Sequence, residues 1–232
     1  MTQRYKTMIK TPTATIFFGN ASHAVIPDVI RTTTLRPLAC PLPVQQLFFQ
    51  NQVHKNQGLA ITEETRKNYT AHLVHDSDYL ITHLPNIGIG VLTADCAPIA
   101  LIDPRNTAIA MIHAGWRGSV GGIVLNALAH MNNLYGTQAS DAIAYIGPCA
   151  HTCCYQIDQT FVNQLPGWAH AFVQNNRFDL VACNSTILRQ AGIPAEQINL
   201  NTSTCTICNE KFLSYRRNSL NPARQPSIIW LN

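Results

Sequence analysis

The chain is poor in charge. Asp, Glu, Lys and Arg together make up 12% of its 232 residues, about half the usual share of roughly 25%. The net charge is +4, and no basic run exceeds Arg216-Arg217. With no basic stretch interleaved with aromatics, nothing points to nucleic acid as a partner. Long hydrophobic runs are missing too. No segment approaches the ~18 continuous apolar residues of a membrane span, and MTQRYKTMIKTPTATIFF lacks the apolar stretch of a secretory signal. These absences set the expectation of a cytoplasmic protein that binds no membrane. No GxGxxG or Walker A pattern offers a nucleotide fold, and no internal repeat, low-complexity tract or clear linker divides the chain. Cysteine is moderately frequent, at eight residues, which is too sparse for a disulfide scaffold. A reducing compartment would keep them as thiols.

Apolar material is plentiful, at 46%, enough for one sizeable core. A surface so low in charge must be built from Asn, Gln, Ser and Thr, with part of it hidden if the protein is oligomeric. Strand-length apolar runs recur at 15-TIFF, 45-QQLFFQ, 79-YLIT, 87-IGIGVLT, 98-PIALID, 107-TAIAMIH, 142-AIAYIG and 226-PSIIWL. Helical spacing predicts one helix from Ser119 to Tyr135, stopped by Gly136. It predicts another from Asp179 to Ala191, stopped by Gly192 and Pro194, and a shorter one from Asp158 to Leu165. The Pro-rich RPLACPLP (36–43) reads as an irregular connection. The expectation is a single α+β domain over residues 1–232, with mixed sheets sandwiched together and flanked by helices.

Three metal-ligand residue types stand where strands stop. His54 follows QQLFFQNQV, Cys96 sits in the TADC corner between two apolar runs, and His113 ends TAIAMIH. Ligands so far apart in sequence do not make a finger or ribbon knuckle. Three ligands with an open fourth position is the arrangement of catalytic zinc, and a Cys/His set also suits copper(I). The alternatives are a small buried core thiol and simple hydrogen-bonded histidines. Asp95, beside Cys96, reads either as a partner or proton carrier for the site or as a cap of the corner. HAGWRG (113–118) leads into a helix, with Arg117 beside its N-terminus. It reads as an anion site or as a tight turn with Trp116 packed on the core.

QVH (52–54), TADCAPIAL (93–101), HAGWRG (113–118), IGPCAHTCCY (146–155), and CT followed by FLSYRR (205–217) occur in one order. That ordered set resembles the laccase-domain family, formerly called multicopper polyphenol oxidases. Its members are described as purine nucleoside phosphorylases with adenosine deaminase activity and include the bacterial peptidoglycan editing factor. The match runs from about residue 45 to the end and leaves residues 1–44 divergent. The resemblance implies a zinc site at His54, Cys96 and His113; Cys96, with Asp95 beside it, is the catalytic candidate. It implies phosphorolysis of adenosine, inosine and methylthioadenosine, deamination of adenosine, and, in many members, a homodimer. Partners would be a nucleoside and phosphate, and Arg117, Arg216 and Arg217 have the fork that suits phosphate oxygens.

The chain departs from the family pattern in several places. FFGNASHAVIP keeps Phe17, Phe18 and Ser22 but lacks the family's Arg, Gln156 stands where an acid is usual, and Ala223-Arg224 replaces Gly-Arg. Cysteines are added: Cys149 and His151 lie near Cys153-Cys154, and Cys205-x-x-Cys208 makes a CxxC. These could form a second metal site or a redox pair, or be ordinary core and surface thiols. Two other readings of the whole remain open. In one, Cys96 is a nucleophile and His113 its base in an amide hydrolase editing a peptidoglycan precursor. In the other, the chain is a non-catalytic metal-binding module.

Overall fold

The computed structural model describes residues 8–27, 42–68 and 73–232. Its strands are β1 (Met8–Lys10), β2 (Ala14–Phe18), β3 (Gln46–Asn51), β4 (Gly58–Ala60), β5 (Leu73–Asp76), β6 (Tyr79–Thr82) and β7 (Ile87–Thr93). They continue as β8 (Ala97–Asp103), β9 (Ala108–Ala114), β10 (Ile143–Ile146), β11 (Val173–Gln174), β12 (Arg177–Phe178), β13 (Ile198–Asn199) and β14 (Gln225–Leu231). One six-stranded sheet has the order β1-β2-β14-β7-β3-β5 and the other β13-β10-β8-β9-β6-β4. Both are mixed: β3 runs parallel to β5 and β7, whereas β14 is antiparallel to β2 and β7.

The strands show why the sequence carried continuous apolar runs instead of alternation. Successive side chains point to opposite faces, and here both faces are covered. From β9, Ile109 and Met111 enter the core between the sheets, while Ala108, Ala110, Ile112 and Ala114 enter the core under the helices. From β7, Ile87, Ile89 and Val91 face the other sheet, and Leu92 belongs to a third cluster with Phe49 and Ile228. The order of layers is therefore sheet, sheet, helices. Gly90 belongs to this packing, because a Cβ there would sit 2.5 Å from the Phe49 ring.

The helices are α1 (Thr65–Asn68), α2 (Trp116–Val120), α3 (Ile123–Tyr135), α4 (Gln159–Val162) and α5 (Leu180–Gln190). The single helix expected from Ser119 is instead two. Gly122 takes a left-handed φ of 83°, which separates α2 from α3, and Gly136 ends α3 at φ 75°. The other two expected helices form, each started by an aspartate whose side chain accepts a backbone N–H: Asp158 from Phe161 and Asp179 from Ala182. Most of RPLACPLP, residues 36–41, lies outside the described residues. No helix among the described residues is long and apolar enough to cross a membrane.

Met111 is wholly buried between the sheets, whereas Leu125 on α3 is 49% exposed. Met111→Ala is expected to cost about 2–5 kcal/mol, and Leu125→Ala to stay within about 0.5 kcal/mol of wild type. Urea unfolding monitored by circular dichroism checks both.

Candidate metal centre and adjoining cleft

The two sheets bring three distant positions together. His113 is the penultimate residue of β9, Cys96 sits in the corner between β7 and β8, and His54 follows the end of β3 by three residues. His54 is therefore a loop residue, not a strand end, and it adopts a left-handed φ of 59°. The ligand atoms of His54, Cys96 and His113 lie within 4.8 Å of one another. The two imidazoles meet edge to face with centroids 4.7 Å apart. Burial grades across the cluster, from 3% exposure at His113 through half-buried Cys96 to exposed His54. One side thus stays open.

The residue that organises this cluster was not singled out in the sequence. Asp78, fully buried directly before β6, accepts a 2.8 Å bond from His113 Nδ1. Its carboxylate also accepts the backbone N–H groups of His54 at 2.9 Å and Lys55 at 2.7 Å. A carboxylate only accepts, so Nδ1 carries the proton and Nε2 is left for the cluster. Burial acts to raise the Asp78 carboxyl, but the His113 ring and these N–H groups outweigh it and hold it below its ordinary value. The only sequence signal was an acid directly before a buried strand, in DSDYLIT. The His54 loop is fixed from its other side by α3: Asn126 donates to the Asn56 carbonyl at 2.8 Å, and Asn56 donates to that of Gly121 at 2.6 Å. Gly115 closes the site, since a Cβ there would stand 2.9 Å from Cys96 Sγ.

The electrostatics of the metal-free cluster are coupled. Burial opposes charge on Cys96, yet His113 and His54 pull its thiol down to about 6. Burial likewise opposes charge on His113, but Cys96 and Asp78 raise the ring to about 9. A thiolate and two imidazoles in convergent positions fit zinc or another soft to borderline cation.

Asp95 faces elsewhere. Its carboxylate accepts Thr206 Oγ1 at 2.7 Å, Ser214 Oγ at 3.0 Å and the Arg216 N–H at 2.7 Å. Asp95 therefore does not cap its own corner through local backbone N–H groups: its donors are two hydroxyls and one N–H from over a hundred positions away. These bonds hold Asp95 at a positive φ of 90°, a conformation uncommon for non-glycine residues.

The three candidate arginines separate. Arg117 and Arg216 both line a cleft of about 530 Å³, with Trp116, Gln156, Asp158 and Phe161. The Arg117 guanidinium lies 4.4 Å over the Trp116 ring, and that of Arg216 lies 5.1 Å over Tyr155. Arg217 is engaged elsewhere: its guanidinium donates to the carbonyls of Thr206, Ile207 and Phe212. It is a loop brace, which corrects the expectation that it joins the other two. Tyr155 links cleft and cluster. Burial first, then the charge of Cys96, raises its hydroxyl, while Arg216 and Arg117 act in the opposite sense. A second cleft of about 440 Å³, beside His151, Asp179 and Arg189, contains neither the three-ligand cluster nor the arginine pair.

Fold and site together define a two-sheet α/β protein with a His/Cys centre beside a cationic, aromatic cleft. The family described as multi-copper polyphenol oxidoreductase laccase matches residues 2–232, and the chain belongs to it. Over 200 residues it is 28% identical to a protein of Bacteroides thetaiotaomicron named purine nucleoside phosphorylase, covering 81% of this chain and 74% of that one. It is 30% identical over 204 residues to purine nucleoside phosphorylase YlmD of Geobacillus stearothermophilus, covering 81% and 73%. The crystal structure of that YlmD superposes with a TM-score of 0.80 at 24% identity, covering 99% of this chain and 98% of the other.

Between pH 6 and 9 the Cys96–His113 pair is thiolate and imidazolium. Metal uptake there must displace the Nε2 proton of His113, and below about 6 the Cys96 proton as well. Zinc affinity is therefore expected to climb with pH through this window and to level off above about 9. Calorimetric titration in buffers of different ionisation enthalpy measures the protons released. Zinc binding that is independent of pH from 5 to 9 contradicts this ligand set.

Proposed function

We propose that the chain is a metal-dependent purine nucleoside phosphorylase that cleaves adenosine, inosine and methylthioadenosine to the free base and the pentose 1-phosphate, with deamination of adenosine as a second activity. The observation that carries this reading is the pairing of the His54/Cys96/His113 cluster with a cleft holding two arginines and stackable rings. The phosphorylase names of the relatives support it. A nucleoside and phosphate are its small-molecule partners, and zinc is its cofactor. The family's homodimer is part of the same proposal.

Residue roles follow from the chemistry. Arg117 and Arg216 hold phosphate through charge-assisted bonds and orient one oxygen toward C1′ of the sugar. The C1′–O bond forms as the C1′–N9 bond breaks, and the electron pair leaves with the purine. Trp116 and Phe161, with ring centroids 4.4 Å apart, give the base an apolar face. His54, Cys96 and His113 would hold the metal, with Asp78 keeping the His113 proton on Nδ1. When bound, that ion supplies Lewis acidity at an open position, the property needed for hydrolytic attack at C6 of adenine.

One observation favours a second reading. Cys96, His113 and Asp78 follow the order of nucleophile, base and orienting acid, and without metal the thiol is held at about 6. In that reading the chain is a Cys–His amide hydrolase acting on a peptidoglycan precursor.

Elemental analysis of protein purified without chelator, combined with an assay of adenosine plus phosphate, separates the two. The phosphorylase reading expects zinc, products from adenosine, and loss of both in Cys96→Ala. Metal-free protein that cleaves an amide and not adenosine would overturn it. Arg216→Ala is expected to raise the KM for phosphate roughly tenfold or more, the size of a lost charged hydrogen bond. Its KM for nucleoside is expected to change far less.

A further inference from the structure

A second thiol cluster lies outside the site described above. Cys153 and Cys154 come from the loop after β10, and Cys205 and Cys208 from the loop after β13. All four sulfurs lie within 4.8 Å of one another, with Cys153 and Cys208 Sγ 3.9 Å apart. The edge of a zinc tetrathiolate, set by Zn–S bonds of about 2.3 Å in tetrahedral array, is about 3.8 Å. The cluster is therefore near the size of a closed four-sulfur site. Among the described residues, it and the His54 cluster are the groups of His, Cys, Asp or Glu with this compactness.

We propose that Cys153, Cys154, Cys205 and Cys208 bind a structural zinc ion that ties the two loops together. Several observations support it. Four thiols converge where a redox pair needs two, and all four are free. Cys205-x-x-Cys208 has the spacing of a zinc knuckle. The Arg217 guanidinium docks on the carbonyls of Thr206 and Ile207, the two residues between Cys205 and Cys208. It brings a positive charge to the knuckle, a role that its absence from the cleft left unexplained. The loops are already in register, with Cys149 and Cys205 forming a parallel bridge and Thr206 N–H donating to the Cys149 carbonyl at 2.9 Å.

The zinc would act on the first site only through structure. Cys154 precedes Tyr155, on whose ring Arg216 rests. Cys208 lies on the loop whose Thr206, Ser214 and Arg216 bond Asp95, the neighbour of Cys96. Four sulfur ligands leave no open position, so no catalytic step is assigned to it.

The test is metal stoichiometry under reducing conditions, with cobalt as the spectroscopic probe. Wild-type protein is expected to hold about two zinc ions per chain, one for each cluster. Cys208→Ser and, separately, Cys153→Ser are each expected to lose one, and both positions are exposed, so their substitution spares the core. His54→Ala is expected to lose the other ion while keeping the intense thiolate-to-cobalt charge-transfer bands of a four-sulfur site. The wild-type cobalt spectrum, read as the sum of a four-sulfur and a one-sulfur site, makes the same check without substitution. Unchanged zinc in both cysteine variants would overturn the proposal. So would a mapped disulfide between the two loops in protein holding one zinc, which would make the cluster a redox pair.

Discussion

Asp78 is the constraint on which the centre depends. A carboxylate with no solvent exposure is costly to bury unless its oxygens are saturated, and here the histidine ring and two backbone N–H groups saturate them. The same three bonds set the tautomer of His113 and fix where the His54 loop leaves β3. The backbone extends the arrangement: the Asp78 N–H donates to the Gln57 carbonyl at 2.8 Å, and its carbonyl accepts the His113 N–H at 2.7 Å. Burial of one acid thus converts the packing of two strands into the placement of two ligands. The third ligand, Cys96, comes from the corner just before β8, whose start pairs with the end of β9, and meets them over Gly115.

The sandwich turns this local geometry into a site with an open side. The end of β9 delivers His113 from within the core, α2 follows at once with Trp116 and Arg117, and the cleft therefore begins where the cluster ends. From the far side, the loop after β13 supplies Arg216 and is anchored on Asp95. That loop and the one after β10, each carrying a cysteine pair, lie side by side. The family description speaks of copper and oxidation, but the convergent donors make a mixed His/Cys centre beside paired arginines.

Much of this was legible in the sequence, for physical reasons that differ by residue. The central strands announced themselves as short apolar runs because both of their faces are buried. Cys96 and His113 stood out because polar residues at the end of such runs need a reason to be there. Asp78 did not stand out, because a lone acid before a strand looks like any turn residue until its partners arrive from 24 and 35 positions away. Arg216 and Arg217 are neighbours with opposite fates, one lining the cleft and one bracing a loop. Sequence spacing cannot separate them, since the loop's own carbonyls decide. The helix expected from Ser119 failed at Gly121-Gly122, where periodicity outvoted the backbone freedom of glycine. The cysteine clusters around 149–154 and 205–208 were readable as a second metal site or a redox pair, but which four thiols converge became visible only with the two loops side by side.

The most direct test of the central claim is zinc affinity and adenosine phosphorolysis in Asp78→Asn, measured together. The amide keeps the size of the carboxylate but presents a donor to backbone N–H groups that need an acceptor. Zinc affinity is expected to fall roughly 10–100-fold, as for loss of a partner behind a metal ligand. Phosphorolysis is expected to fall in parallel and to recover at saturating zinc. Unchanged affinity, or activity that stays lost when the zinc site is full, would contradict the view that Asp78 builds the centre and that the centre does the chemistry.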